Sequence, residues 1–444
     1  MRSRPRVVIV GGGFAGIAAA RSLRGSDADV MLIDRRNHHI FQPLLYQVAT
    51  GLLAPSEVSA PIRQLARRQR NLTVMLAEVS GLSEDGRSVL TCSPGIGATE
   101  VAFDHLILAP GMQVNYFGHD EFARYAPSLK TITDAERVRA KILDAYEQAE
   151  LTDDPAERSR LLTFILVGAG PTGVELAASI ALMARATLRF TYRRIDPAAS
   201  RILLIEAGNR VLPTFREALA GKAARQLARL GVEVLTSSKV EQVEARGVVV
   251  GGQRIPSATV LWTAGVGPTP ILKALNSDSD RAGRIRVAPN MEVPGRPGIF
   301  VVGDAAALAQ DGRQLPGVAQ VAIQQGRYVG GLIRARIEGR ASVRPFRYFD
   351  KGSMAIVGRN FALLESKWLR MSGYLAWLIW GTIHLLFLPQ LQSRLRVAGQ
   401  WLWWYLTDQR SSLLIPETRV VDAQGANDRS EGNRSPISTR AIAS

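Results

Sequence analysis

"RVVIVGGGFAGIAAARSL", residues 6–23, is a β-branched apolar run, then three glycines, then an alanine-rich segment with helical spacing. Gly11, Gly13 and Gly16 fall at GxGxxG spacing. A strand delivers the chain to a tight turn, the glycines let backbone approach a pyrophosphate, and the following helix N-terminus supplies N–H groups and partial positive charge. Alone the triplet is a weak signal, but "DVMLID" (29–34) supplies a second apolar run ending at Asp34, where an acid would accept from ribose hydroxyls.

The pattern repeats. "LLTFILVGAGPTGVELAASI" (161–180) places Gly168, Gly170 and Gly173 between a second strand and helix, and "RILLIEAG" (201–208) brings Glu206 to the end of the next strand. Glycines that merely permit helix-on-strand packing would not explain two cradles with matching acids. Two dinucleotide sites point to FAD held permanently and a nicotinamide that exchanges. Glu206 favours NADH, because a carboxylate there repels the 2′-phosphate of NADPH; Arg210, close by in sequence, softens that preference.

"FDHLILAPG" (103–111) reads as a strand ending in Gly111, and "PGIFVVGDAA" (297–306) as a strand ending in Gly303 and Asp304. The second segment resembles the one in two-dinucleotide flavoproteins whose aspartate meets the flavin's ribityl chain and phosphate. The fold class is therefore α/β, with two Rossmann-like dinucleotide-binding domains and a C-terminal membrane-associating helical segment. The FAD domain is discontinuous, at 1–125 and 280–345; the NADH domain (126–279) is inserted; residues 346–416 form the membrane-associating region.

The chain has 444 residues, enough for several cores, and 55 basic against 39 acidic residues give a net charge of +16. Such a surplus is attracted to anionic lipid or to nucleic acid. The single cysteine, Cys92, excludes a disulfide framework, a CxxC redox pair, a four-thiolate cluster and covalent haem, so electrons must travel on a bound organic cofactor. His38, His39 and Cys92 show no metal-ligand spacing, and no metal is expected. Arg2, Arg4 and Arg6 before an apolar run imitate a secretory signal, but the glycine cradle explains that run better, and the chain is expected to start in the cytoplasm.

Near the C-terminus, Met371 to Ser393 contains no Lys, Arg, Asp or Glu, and is flanked by Lys367 and Arg370 on one side and Arg394 and Arg396 on the other. The stretch is long enough to span a bilayer, but Gly373, Gly381, Thr382 and His384 interrupt it and Pro389 breaks it. "SRLRVAGQWLWWYLTDQR" (393–410) then combines Arg394, Arg396 and Arg410 with Trp401, Trp403, Trp404 and Tyr405, a mixture suited to the headgroup layer of an anionic lipid surface. Two helices lying in one leaflet account for both pieces better than one crossing; a buried core helix or a dimer interface is the alternative. Residues after about 417 lack apolar periodicity and read as a disordered extension.

With these segments in hand, the sequence resembles the type II NADH dehydrogenases, single-subunit NADH:quinone oxidoreductases that pump no protons. "GGGFAG", "VGAGPTGVE", "TAGV" and "VGDAA" are shared with many flavin reductases. "FQPLLYQVATG" (41–51), "NYFG" (115–118), "AQVAIQQG" (319–326), "FDKG" (349–352) and the aromatic C-terminal segment are the specific part. The resemblance implies that Glu175 lies near nicotinamide and flavin, that Gln320 and Gln324 line a quinone pocket, and that Tyr46 and Thr50 lie near the isoalloxazine. Val79, Gly111, Ala264 and Gly265 complete the expected cofactor-binding set. One departure is Ala109-Pro110-Gly111, where proline removes a backbone donor. The resemblance also implies ubiquinone or menaquinone as acceptor, a homodimer, and a place on the cytoplasmic side of the inner (plasma) membrane.

Glu175 in the first turn of a helix gains from the helix dipole, and Gln320 and Gln324, four apart, share one helical face where uncharged amides suit quinone carbonyls or a helix-start hydrogen bond. His384 is expected to be neutral and bonded to a backbone carbonyl, with proton relay to reduced quinone as the alternative. Lys351 has a substrate contact and a surface salt bridge as its two readings. Three rivals stand beside the quinone reductase: a soluble flavin reductase serving a small electron-carrier protein, a sulfide:quinone oxidoreductase, which needs the paired cysteines this chain lacks, and a redox-sensing flavoprotein that binds DNA, for which no nucleic-acid motif is present.

Overall fold

The computed structural model describes residues 4–340 and 344–415. The extension expected beyond about residue 417 lies outside the described residues, as does Arg2.

The first strand, β1 (Arg6–Val10), leads through the glycine turn into α1 (Phe14–Ser22) and back through β2 (Asp29–Asp34). After α2 (Leu45–Ala49), α3 (Ile62–Ala66) and β3 (Leu72–Leu76), a three-stranded antiparallel meander intervenes before β4 (His105–Leu108). A second unit follows: α4 (Ile132–Leu151), β5 (Thr163–Val167), α5 (Pro171–Leu182), β6 (Arg201–Ile205), β7 (Val232–Leu235), another three-stranded meander, and β8 (Thr259–Trp262). The chain then returns to the first sheet with β9 (Arg296–Val301) and α6 (Ala319–Ile337).

The first sheet runs Glu292–Val293, β9, β4, β1, β2, β3, and is parallel from β9 to β3; its register pairs Val7 with Val30 and Ile9 with Leu32. The second runs β7–β6–β5–β8, all parallel, pairing Thr163 with Arg201 and Val167 with Ile205. Both central strands are buried on both faces, which is why β1 and β5 are unbroken apolar runs rather than alternating ones. Helix α6 crosses α1 so closely that a Cβ on Gly326 would lie 2.1 Å from the Ala15 carbonyl oxygen. The last strand of the first sheet and its covering helix are thus contributed from some 300 residues beyond the turn they support.

The remaining chain forms a small antiparallel sheet, β10 (Ser353–Ile356), β11 (Ala362–Glu365) and β12 (Arg370–Gly373), then α7 (Tyr374–Phe387) and α8 (Leu391–Thr407). Pro389 separates the two helices, as expected, because its ring and missing N–H cannot continue α7. No helix among the described residues is long and apolar enough to cross a membrane. One helix crosses between the cores: α2 precedes β3 in the first unit, yet Leu45, Tyr46, Val48 and Ala49 pack into the same core as α4, α5, β10 and β11.

Candidate active site

Both glycine turns are built alike. Gly11 has φ +104°, and a Cβ there would lie 2.2 Å from the Ala109 carbonyl oxygen; a Cβ on Gly16 would lie 1.9 Å from the Gly11 oxygen. Gly168 has φ +102°, and a Cβ on Gly173 would again lie 1.9 Å from the oxygen of the first glycine. In contrast, nothing lies within 4 Å of a Cβ on Gly13 or Gly170. The turns are therefore closed on the sheet side and open at the helix N-termini, the arrangement a pyrophosphate needs.

The acids at the ends of β2 and β6 hold the turns. Asp34 accepts from the Gly12 N–H at 2.6 Å and the Arg36 N–H at 2.7 Å; Glu206 accepts from the Ala169 and Gly208 N–H groups, both at 2.7 Å. Ribose recognition was expected of these carboxylates, and their first duty is local. The Gly12 and Ala169 carbonyls are also engaged, by different chemistry: the Leu212 N–H donates to Ala169 at 2.8 Å, whereas the His39 ring Nδ1 lies 3.0 Å from the Gly12 oxygen. His39 is buried, and desolvation pushes its pKa below the ordinary value, so the neutral ring donates from Nδ1. Sequence reading gave His39 no chemistry; only its tertiary partner reveals its place.

Val79 follows Ala77, whose N–H donates to the Asp34 carbonyl at 3.0 Å, so it lies beside the end of β2. Gly111 follows β4 with φ +69° and open space before it, while Ala264 abuts Gly168, and a Cβ on Gly265 would lie 2.4 Å from the Asn115 carbonyl oxygen. Asp304 is mostly covered, takes no hydrogen bond from any described residue, and has its pKa raised by desolvation, with Lys130 and Arg284 opposing. An unsatisfied, mostly covered carboxylate calls for hydroxyl or N–H donors. With the open turn at Gly13, it fits FAD, whose ribityl chain is rich in hydroxyls. The neighbouring Gly303 N–H is already held by the Gln325 side chain at 2.7 Å. Gln325, buried, escaped the sequence reading because Gln320 and Gln324 carried the motif.

Glu175 sits on α5, one turn past the glycines, where three parts of the chain meet. Its carboxylate accepts from the Ile356 N–H of β10 at 3.3 Å, and desolvation raises its pKa to about 8 against that opposing hydrogen bond. From α2, the buried Tyr46 phenol feels the Glu175 charge; burial, chiefly, holds its pKa well above the ordinary value. The Gln47 Nε2 donates to the Tyr46 hydroxyl at 2.9 Å, and the Trp401 indole N–H of α8 donates to the Gln47 Oε1 at 2.7 Å. Thr50, fully buried, donates to the Tyr46 carbonyl at 2.9 Å, and its hydroxyl lies 2.8 Å from that of Ser179 on α5.

Gln320 and Gln324 lie on α6 against the segment that leads into β10. The Gln320 Nε2 donates to the Gly352 carbonyl at 3.0 Å, while its Oε1 is buried without a partner. Gln324 pairs twice with Phe349, donating to its carbonyl at 2.9 Å and accepting from its N–H at 3.0 Å. Both glutamines therefore hold the "FDKG" segment, and only Gln320 retains an unused acceptor. Lys351 is exposed, with no ion-pair partner among the described residues. His384 is neutral, as expected: its Nδ1 is 2.7 Å from the Trp380 carbonyl, and burial lowers its pKa to about 4. Its ring stacks on Trp380 at 4.3 Å and meets Phe41 edge-on at 6.1 Å.

One expectation is reversed. Arg410 was grouped with the headgroup-facing arginines but is only 7% exposed. Its guanidinium donates to the Thr50 carbonyl at 2.7 Å and the Ser179 carbonyl at 3.0 Å, and burial lowers its pKa to about 9. The segment after α8 turns inward: the Ser412 N–H donates to the Gly51 carbonyl at 3.1 Å, and Arg139 donates to the Leu414 carbonyl at 3.1 Å. Trp401 likewise faces the core. Trp403, Leu402 and Leu406 face outward.

Residues 5–326 match the pyridine nucleotide-disulphide oxidoreductase family. The chain is similar to the type II NADH:quinone oxidoreductase Ndh of Mycobacterium tuberculosis, with 43% identity over 94% of this chain and 91% of that one. A second protein of that organism, NdhA, also a type II NADH:quinone oxidoreductase, is 42% identical over 90% of this chain and 86% of its own. The fold matches that of NDH2 from Plasmodium falciparum, solved with NADH, with a TM-score of 0.84 and 19% identity over 90% of this chain and 98% of that one.

Proposed function

The chain belongs to the type II NADH:quinone oxidoreductases, and from that premise we propose how its residues divide the work. It is an FAD-dependent enzyme that oxidises NADH and reduces quinone. FAD, when bound, supplies the two-electron chemistry that joins the two half reactions. Gly11, Gly13, Gly16, Asp34 and Asp304 hold it; Gly168, Gly170, Gly173 and Glu206 receive the exchanging nicotinamide, with NADH preferred for the carboxylate at Glu206. The cofactor and inserted units divide near residues 125, 279 and 345.

Glu175, with its pKa raised to about 8, carries a proton at neutral pH and lies where both units and β10 converge, which suits it to hold or release that proton as the nicotinamide binds and reacts. Gln320 offers its unused Oε1 beside Gly352, just before that strand, where it accepts from a reduced quinone hydroxyl; Gln324 keeps the segment at Phe349 in place. The observation that carries this division is the chain from Gly352 through β10, held at Gly352, just before the strand, by Gln320 and at Ile356, its last residue, by Glu175.

The quinone is a membrane quinone, ubiquinone or menaquinone. The outer faces of α7 and α8 expose Leu375, Leu378, Leu386, Phe387, Leu391, Leu395, Leu402, Trp403 and Leu406. The β11–β12 hairpin adds Trp368, 88% exposed with the Lys367 ammonium 5.1 Å from its ring centroid. Apolar and indole surface beside basic residues seats in one leaflet of an anionic membrane, on its cytoplasmic side. A homodimer belongs to the same reading by family likeness. Stopped-flow absorbance tests the assignment: NADH bleaches the yellow protein and a short-chain quinone restores the colour. Gln320→Ala leaves bleaching intact and slows recolouring at least tenfold; equal slowing of both phases contradicts a quinone-side role.

A further inference from the structure

We propose that the first unit carries its own anionic-headgroup site, a stripe of arginines on α3 and the turn after it that continues the apolar corner at Pro389. The proposal rests on the membrane seat described above and adds a charge-selective part to it.

Helix α3 and the turn after it have two faces. Ile62, Leu65 and Gln69 point inward, Ile62 fully buried and Gln69 held by the Ala20 carbonyl at 2.8 Å. Arg63, Gln64, Arg67 and Arg68, at i, i+1, i+4 and i+5, form the outer stripe, and all four are exposed. Among the described residues none of these arginines has a carboxylate partner, and Glu57, the nearest acid before them in sequence, is engaged with the Ala54 N–H at 2.7 Å.

Gln64, in the middle of the stripe, accepts from the Gln390 side chain at 3.1 Å. That bond fixes the arginines beside the corner between α7 and α8, where Leu391 is 69% and Leu395 67% exposed, with Leu386, Phe387 and Arg396 alongside. Exposed leucines bordered by unpaired guanidinium groups match the cross-section of an anionic leaflet: acyl chains meet the corner, and phosphate oxygens meet the forks. A nucleic acid would meet the charge but leave the leucines in water, so lipid is the occupant the juxtaposition favours.

The test is co-sedimentation of the full-length FAD-loaded protein with vesicles of phosphatidylcholine alone and vesicles in which part of that lipid is replaced by phosphatidylglycerol. Replacing Arg63, Arg67 and Arg68 together by glutamine should weaken binding to the anionic vesicles by about fivefold per arginine, leave binding to neutral vesicles unchanged, and leave turnover with a soluble quinone in detergent unchanged. Lysine at all three positions should restore most of the anionic preference. Equal binding by variant and parent, or equal loss on both vesicle types, overturns the proposal. So does a variant that loses retention on duplex DNA while keeping its vesicle binding. Failure of the unaltered protein to bind either vesicle would instead sink the membrane seat on which the proposal rests; Leu391→Ser with Leu395→Ser reads that part separately, through neutral vesicles.

Discussion

Arg410 donates to the carbonyl of Thr50 at 2.7 Å, joining positions 360 residues apart in sequence. The same guanidinium reaches the Ser179 carbonyl on α5. One side chain thus ties the segment following α8 to α2 and to the helix that bears Glu175. Its charge has no carboxylate within its own hydrogen bonds, so its partners are carbonyl dipoles, a costly arrangement that persists only if the geometry it fixes is needed.

Arg410→Met should leave the buried Thr50 carbonyl without a donor, at about 1–3 kcal/mol, while the Ser179 carbonyl keeps its helix bond from the Met183 N–H. The expected result is a melting temperature lower by several degrees and a raised KM for quinone, with the rate of reduction by NADH little changed. Arg410→Lys should not rescue it, because a single ammonium cannot reach both carbonyls in the planar fork. Thermal melts followed by flavin fluorescence, with the two half reactions timed separately, decide the matter.

Glu175 makes pH a direct probe. Its carboxyl has a folded pKa of about 8, above the ordinary 4.5. Between those values the folded chain holds a proton the unfolded chain has lost, so this group's contribution to stability falls as pH rises through that window. The slope cannot exceed about 1.4 kcal/mol per pH unit, the limit set by one proton. Glu175→Gln should remove it: the variant gains stability over its parent at pH 8 relative to pH 5. Turnover of the parent should show an apparent pKa near 8 that the variant lacks; an identical profile in both would exclude Glu175 as the titrating group.

His39 holds the Gly12 carbonyl that the second cradle secures with backbone. His39→Phe should unsatisfy that oxygen and loosen the pyrophosphate turn, so that protein purified by gel filtration loses a large part of its FAD. His39→Asn, which places an amide N–H near the position of Nδ1, should recover most of it. The readout is the ratio of absorbance at 450 and 280 nm; full flavin content in the phenylalanine variant would show that the turn is held without the ring.

Much was legible before any coordinates. The two glycine turns, their strands and their acids are local patterns, since Gly11 and Gly168 need positive φ and close approach, and β1 and β5 are buried on both faces. The break at Pro389 and the neutral His384 also follow from short-range chemistry. Gln325, Arg410 and the α3 stripe were not legible, because each owes its meaning to a partner far along the chain: Gly303, Thr50 and Gln390. Composition placed Arg410 in the headgroup layer with its neighbours; the inward turn after α8 placed it in the core.

By itself the sequence determined the α/β class, the two dinucleotide cradles and a C-terminal segment too apolar and too aromatic for an ordinary surface. Periodicity and turn chemistry act over a few residues, and those features are written at that range. Tertiary structure decided what lies opposite what: that α2 packs with the second unit, that Gln320 holds the residue before β10 and Glu175 its last residue, and that an arginine amid indoles is buried. Such contacts depend on loop closure across hundreds of residues, and no local pattern encodes which of many polar side chains will find a buried partner there.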